Sequence, residues 1–134
     1  RSSIAHGKII NIDTSRALSA SGVITIYTGE DVKEFNGPIA GWQVDFINGD
    51  PMKEPKHPLL VSDKVRHVGD GVAMIVAETQ EEAEDAISLV EVQYEEMPAI
   101  TDPSDALKPG APLVHDDVQG NKIFDWYSIF PKFG

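Results

Sequence analysis

The sequence predicts a small domain of mixed α and β structure, and three observations carry that reading. Between Asp63 and Glu96 a turn, an apolar strand, a capped helix and a second strand follow without a break. Upstream, a short helical segment leads into Val23-Ile24-Thr25-Ile26-Tyr27, a β-branched run suited to a pleated strand. The composition, 41% hydrophobic and 25% charged, is ordinary for a globular chain.

Taken in order, Ser2 to Ile12 reads as extended chain, with Gly7 as a bend or bulge and Lys8 to Ile12 as a strand. Asp13 and Thr14 are suitable N-caps for a helix from Ser15 to Ser21, which Gly22 ends. The strand Val23 to Tyr27 closes at Thr28-Gly29, and Glu30-Asp31-Val32 is at most one turn. Residues 36–58 carry Pro38, Pro51, Pro55 and Pro58 between Gly37, Gly41 and Gly49, too much punctuation for a regular element. This is a long loop with a brief extended piece at Trp42 to Ile47. Trp42 and Phe46 serve either to pin the loop to its own core or to anchor a partner, and the first reading is favoured.

Gly69-Asp70-Gly71 is a turn whose glycines permit φ > 0. Val72 to Ala77 is an apolar run too short for a typical helix, read as a strand covered on both faces. Thr79 caps the next helix, and Glu82 completes the T-x-x-E capping box. Ala83, Ala86, Ile87 and Val90 form its apolar stripe, while Glu81, Glu82, Glu84 and Asp85 face water near the positive end of the helix dipole. Val90, Val92 and Tyr94 then alternate with polar residues, as in a half-buried strand. Beyond it, Pro98, Pro103, Pro109 and Pro112 break the chain, with one helical turn at Asp102 to Leu107. The segment from Ile123 to Phe130 is aromatic and is expected to continue into, or pack on, something else.

Charge excludes several functions. Twenty-two acidic against 11 basic side chains give a net charge of −11, which repels nucleic acid and anionic membranes. The absence of cysteine removes disulfides, iron–sulfur ligation and thiol catalysis from this segment and fits a reducing, cytoplasmic setting. No apolar run approaches the ~20 residues that span a bilayer. The first residue is Arg1, so a processed or partial chain is expected.

No motif for chemistry emerges. His6, His57, His67 and His115 have no metal-ligand spacing, and H-E-x-x-H is absent. G-x-S-x-G is absent too. The Gly69-Asp70-Gly71 turn lacks a third glycine and a lysine, and it enters a strand instead of opening a helix, the wrong order for holding phosphate. The acidic pairs Glu81-Glu82, Glu84-Asp85, Glu95-Glu96 and Asp116-Asp117 read as solvated faces. No catalytic, cofactor-binding or metal residue is assigned.

The ordered set of short blocks resembles the large, molybdopterin-binding subunit of the molybdenum hydroxylases, which include xanthine dehydrogenase, aldehyde oxidoreductase and aerobic carbon monoxide dehydrogenase. The blocks are Arg1-Ser2-Ser3-Ile4-Ala5-His6-Gly7-Lys8-Ile9, Asp13-Thr14-Ser15-Arg16-Ala17, and Gly22-Val23 through Thr28-Gly29-Glu30-Asp31. They continue with Pro58-Leu59-Leu60, Lys64-Val65-Arg66-His67-Val68-Gly69 through Ala77-Glu78-Thr79, Ala83-Glu84-Asp85-Ala86, Val90 to Ala99, and Asp102 to His115 with Gly120-Asn121. Ser3, Gly7 and Gly71 depart from the usual proline, alanine and proline. The last departure loosens entry into the apolar strand by up to ~1 kcal/mol through unfolded-state entropy. The strand that precedes the first block in the family is not part of this sequence.

The resemblance implies an α+β fold, the a/b hammerhead, with a mixed β-sheet and two main helices. It implies a single domain over 1–134, a fragment of a larger subunit, with 36–58 a long loop and 123–134 a linker toward a downstream domain. The implied parent oxidises an aldehyde, a purine-like heterocycle or carbon monoxide. Its cofactors would be molybdopterin in downstream domains, with [2Fe–2S] and FAD in partner domains or subunits of an oligomer. This segment would be a non-catalytic scaffold. Two other readings are a free-standing acidic binding module that reuses the fold and, ranked last, a small hydrolase.

Overall fold

The computed structural model describes residues 1–37 and 43–125. The chain divides into two compact units, Arg1–Gly37 with Pro58–Ala99, and Pro38–His57 with Ile100–Gly134. Trp42 and the aromatic residues from Trp126 onward lie outside the described residues.

In the first unit, strand β1 (Gly7–Asp13) leads to helix α1 (Ser15–Leu18), strand β2 (Val23–Thr28) and a 3₁₀ turn (Lys33–Phe35). Strands β3 (Lys64–Val65) and β4 (Ala73–Ala77), helix α2 (Gln80–Ile87) and strand β5 (Glu91–Glu96) follow. All the pairings among the described residues are antiparallel, in two sheets, β3-β1-β5 and β2-β4. The α+β class therefore holds, with its strands divided between a three-stranded sheet and a two-stranded ribbon.

The sheet carries the core. Val61, Val65 and Val72 are buried, and Ile4, Ile9, Ile12, Val92 and Tyr94 pack against them. Ile9 pairs with Tyr94 and Ile12 with Val92, and the register slips between Ile9 and Asn11. The bulge inserts one residue, so Ile9 and Ile12 both reach the core while Ile10 is left exposed. On the outer side, Lys8 meets Glu95 at 3.5 Å and Arg16 meets Glu91 at 2.8 Å, pairs exposed enough to add little stability.

The ribbon is differently placed. Its register slips between Val23 and Thr25, and Ile24 is 62% exposed. Met74, opposite Tyr27, is 48% exposed. The expectation that Val72 to Ala77 is covered on both faces is thus corrected: within this chain one face of the strand is open. Gly29, at the end of β2, is fixed by close approach, since a Cβ there would lie 2.6 Å from the Val61 carbonyl carbon.

Helix α2 begins as its sequence requires. The Glu82 N–H donates to Thr79 Oγ1 at 3.2 Å, and the Thr79 N–H donates to Glu82 Oε2 at 3.1 Å. The helix stops at Ile87, so Val90 belongs to the following connection and not to the helical stripe. Helix α1 is also shorter than its sequence suggests, ending at Leu18, with Gly22 beyond it at φ +74°. Thr14 supplies no side-chain cap; Asp13 Oδ1 accepts the Ser15 N–H at 2.9 Å instead.

The turn before β4 is built around Asp70. Its Oδ2 accepts the N–H groups of Arg66 at 2.6 Å and His67 at 3.2 Å, and its carbonyl accepts the Ser2 N–H. Gly69 uses the left-handed region at φ +97°, whereas Gly71 does not; it lies close to Leu60 and the Leu59 carbonyl.

In the second unit, the described part of the long loop has no helix or strand. Helix α3 (Pro103–Ala106) is capped by Asp102, whose Oδ1 accepts the Ser104 N–H at 2.8 Å. Asn121, at φ +55°, ties its neighbourhood together. Its Oδ1 accepts the Val114 N–H, and its Nδ2 donates to the carbonyls of Ala106 and Pro112.

Candidate functional site

The first unit carries an apolar groove of about 420 Å³. Val72, Ala73 and Ile75 form one wall, Ala83 and Ile87 of α2 another, and Val90 and Val92 complete it. Its origin lies in the patterning. The stripe of α2 and one face of β4 are apolar, yet Ile87 is still 61% exposed. Arg1, Gln80 and Glu84 bring polar groups to the groove, but Arg1 Nη1 donates to the Gly69 carbonyl and Gln80 Nε2 to Glu84 Oε1. These groups are engaged with each other or with the backbone. The groove offers apolar surface, not an acid–base pair.

In the second unit a cavity of about 510 Å³ is lined by Phe46, Ile47, Asn48, Asp50, Lys53, Lys122 and Asp125. The ammonium groups of Lys53 and Lys122 each lie 5.8 Å from the centroid of the Phe46 ring, within cation–π range. Asp125 accepts the Ile47 N–H at 2.7 Å and is paired with Lys122. Lys122 and the Ile47 N–H hold its carboxyl below the usual carboxylate range. Phe46 is half-buried, with its ring beneath the two lysines.

The four histidines are placed apart. His6 is buried and its Nδ1 lies 2.8 Å from the Pro98 carbonyl, while its Nε2 has no hydrogen-bond partner. His67 is exposed, with Nδ1 3.0 Å from Asp70 Oδ1. His57 is exposed and His115 half-buried. Among the described residues, no three His, Cys, Asp or Glu side chains stand together in a way that could hold a metal ion. No helix among them is long and apolar enough to cross a membrane.

Three of the four acidic pairs place one member in a structural contact. Glu82 closes the capping box, Glu84 accepts from Gln80, and Glu95 pairs with Lys8. Asp13, Asp31 and Asp102 have carboxyls lowered from the ordinary value by hydrogen bonds from Ser15, Thr28 and Ser104. Two structural residues escaped the sequence reading. The sequence puts Asp70 in a turn but does not show it accepting two N–H groups, nor Asn121 clamping three backbone groups. An Asp between two glycines and an Asn after glycine are the available signals.

Comparison with known proteins is consistent with this geometry. The family model described as aldehyde oxidase and xanthine dehydrogenase, a/b hammerhead domain, matches residues 1–98. The chain is 38% identical over 118 residues to the xanthine dehydrogenase molybdenum-binding subunit of Escherichia coli O157:H7, covering 87% of this chain and 15% of that protein. It is 38% identical over 138 residues to the carbon monoxide dehydrogenase large chain of Afipia carboxidovorans, covering 94% of this chain and 16% of that one. Among solved structures, quinoline 2-oxidoreductase from Pseudomonas putida 86 superposes with a TM-score of 0.80 at 35% identity, over 92% of this chain and 15% of that one. The aldehyde oxidoreductase of Desulfovibrio gigas superposes with a TM-score of 0.68 at 29% identity, over 85% of this chain and 12% of that one. The chain thus spans about a sixth or less of the length of these relatives. It belongs to the aldehyde oxidase and xanthine dehydrogenase family, as its a/b hammerhead domain.

Proposed function

We propose that residues 1–134 act together as a non-catalytic scaffold piece in the large subunit of a molybdenum hydroxylase. The carrying observation is 38% identity to a molybdenum-binding subunit over most of this chain and only 15% of that subunit. The parent enzyme oxidises an aldehyde, a purine-like heterocycle or carbon monoxide, using molybdopterin bound downstream and iron–sulfur and FAD groups in partner domains or subunits, in the cytoplasm. The described residues do not fit the cofactor itself. The groove is apolar and its polar groups are engaged, and the second cavity sets Asp50 and Asp125 beside its lysines. No step of the reaction is therefore assigned to this segment.

The scaffold role is supported by the open groove beside α2 and by the exposed Ile24, Met74 and Ile87. Their cover is the remainder of the same subunit, because the relatives carry more than five-sixths of their length outside the matched region. The relatives named above are a subunit and a large chain, which favours this reading over a free-standing acidic module.

Metal analysis of the protein purified from its native locus tests the proposal. A large subunit holding molybdenum, with co-purifying iron and flavin, is expected. A stable chain near 15 kDa without metal contradicts it.

A further inference from the structure

We infer that Asn48 is a site of spontaneous covalent modification, deamidating through a cyclic imide, and that the sequence-identical dipeptide Asn36-Gly37 is protected. Two Asn-Gly pairs occur in this chain, Asn36-Gly37 and Asn48-Gly49, and they are held differently. The reaction needs the main-chain nitrogen of the next residue to reach the side-chain amide carbon, which a following glycine hinders least. Asn11 and Asn121 are followed by Ile12 and Lys122, whose side chains obstruct that approach.

Asn48 and Gly49 are both exposed, and Gly49 has φ +87° with open space where a Cβ would stand. They form the tip of a turn in which the Phe46 N–H donates to the Asp50 carbonyl and the Gly49 N–H to the Phe46 carbonyl, both at 2.8 Å. That turn belongs to no helix or strand, so opening it frees the Gly49 nitrogen at small cost. The Asn48 amide is also prepared for attack. Its Oδ1 accepts the Asp50 N–H at 3.1 Å, which draws electrons from the amide carbon and stabilises an oxyanion formed there. Its Nδ2 donates to Asp50 Oδ2 at 2.8 Å.

Asn36 stands in contrast. It is half-buried, its backbone is extended at ψ 131°, and its Oδ1 accepts the Leu59 N–H at 2.9 Å. Leu59 is 23 residues away, so freeing this side chain breaks a tie between distant segments of one unit.

The chemistry balances with water alone. The Gly49 nitrogen loses its proton to solvent and bonds to Asn48 Cγ; the Cγ–Nδ2 bond breaks, and the amide nitrogen leaves as ammonia after taking up a proton. Water then opens the imide at either carbonyl, giving aspartate or isoaspartate. Either product adds a carboxylate to the cavity beside Asp50, Lys53 and Lys122. Isoaspartate also lengthens the main chain by one carbon inside the turn closed by Phe46 and Asp50.

The test incubates the native protein at 37 °C and mildly alkaline pH, then digests it at mildly acidic pH and follows peptides by fragmentation mass spectrometry. The expected result is a gain of one mass unit at Asn48, several-fold faster than at Asn36, appearing as aspartate and isoaspartate together. Replacement by Asn48→Gln, which would require a six-membered ring, removes the gain at this position. An Asn48 that stays intact, or reacts no faster than Asn36, overturns the inference. So does conversion to aspartate alone, since the imide opens both ways.

Discussion

The three-stranded sheet and the two-stranded ribbon belong to one unit and have similarly apolar strands, yet only the sheet is closed. In β3-β1-β5 the apolar side chains other than Ile10 meet partners within the chain, and Val65 reaches 0% exposure. In β2-β4 the same kinds of residue end on an open groove or in solvent, as Ile24 and Met74 do. A two-stranded ribbon alone is marginal in water, and here α2 covers part of one face. Apolar patterning therefore reports where a strand needs cover, but not whether that cover lies in the same stretch of chain.

Mutations on the two sides should separate accordingly. Val65→Ala removes a fully buried side chain and should lower stability by about 2–3 kcal/mol in urea denaturation. A loss below about 0.5 kcal/mol would show that the sheet is no better packed than the ribbon. Next in size, Thr79→Ala opens the capping box that starts α2 and should cost about 1 kcal/mol by the same measurement. The loss should appear as faster amide exchange in α2 before the sheet is affected.

Smaller still, Ile24→Thr on the exposed bulge of β2 should change the stability of residues 1–134 by less than about 0.5 kcal/mol. On the scaffold account the same replacement in the longer subunit should cost clearly more, because Ile24 would there lose a covering surface. Equal effects in both would remove the distinction.

Acid should act gently, at three capping carboxyls, one of them at the ribbon's end. Asp31 accepts from the backbone N–H and side chain of Thr28, where β2 terminates, and these bonds lower its carboxyl from 3.8. Asp13 and Asp102 are lowered by Ser15 and Ser104 in the same manner. A carboxyl depressed in the folded state adds stability that is present above its unfolded value and lost as pH falls through its folded one. Thermal melting should hence be flat above pH 4 and decline below 3.8, and Asp31→Asn should make that decline shallower. Because all three carboxyls are fully exposed, the effect is small.

How much could be read beforehand follows from the range of each interaction. The capping box of α2, the alternation in β5 and the helical turn after Asp102 depend on residues within a few positions, and each stands where its local pattern places it. The bulges at Ile10 and Ile24 left no local signal, because a slip in register is decided by the partner strand. Helix α2 ended before Val90 because the strand that follows claims that residue's neighbours. As for the groove, every residue lining its apolar walls reads from sequence as a strand or helix residue, but their failure to close on one another is a tertiary fact.

Amide hydrogen exchange across β4 and α2, in residues 1–134 and in the longer subunit, tests the scaffold account most directly. The Glu78 N–H donates to the Gly22 carbonyl, so alternation turns the N–H groups of Ala73, Ile75 and Ala77 away from β2. These amides lie along the free edge of β4, beside the groove that Ala73 and Ile75 line. The account predicts fast exchange there in the shorter chain and strong slowing in the longer subunit, where other residues cover the groove together with that edge. Equally fast exchange in both would mean that the groove and the edge beside it stay uncovered, and the scaffold reading would fail.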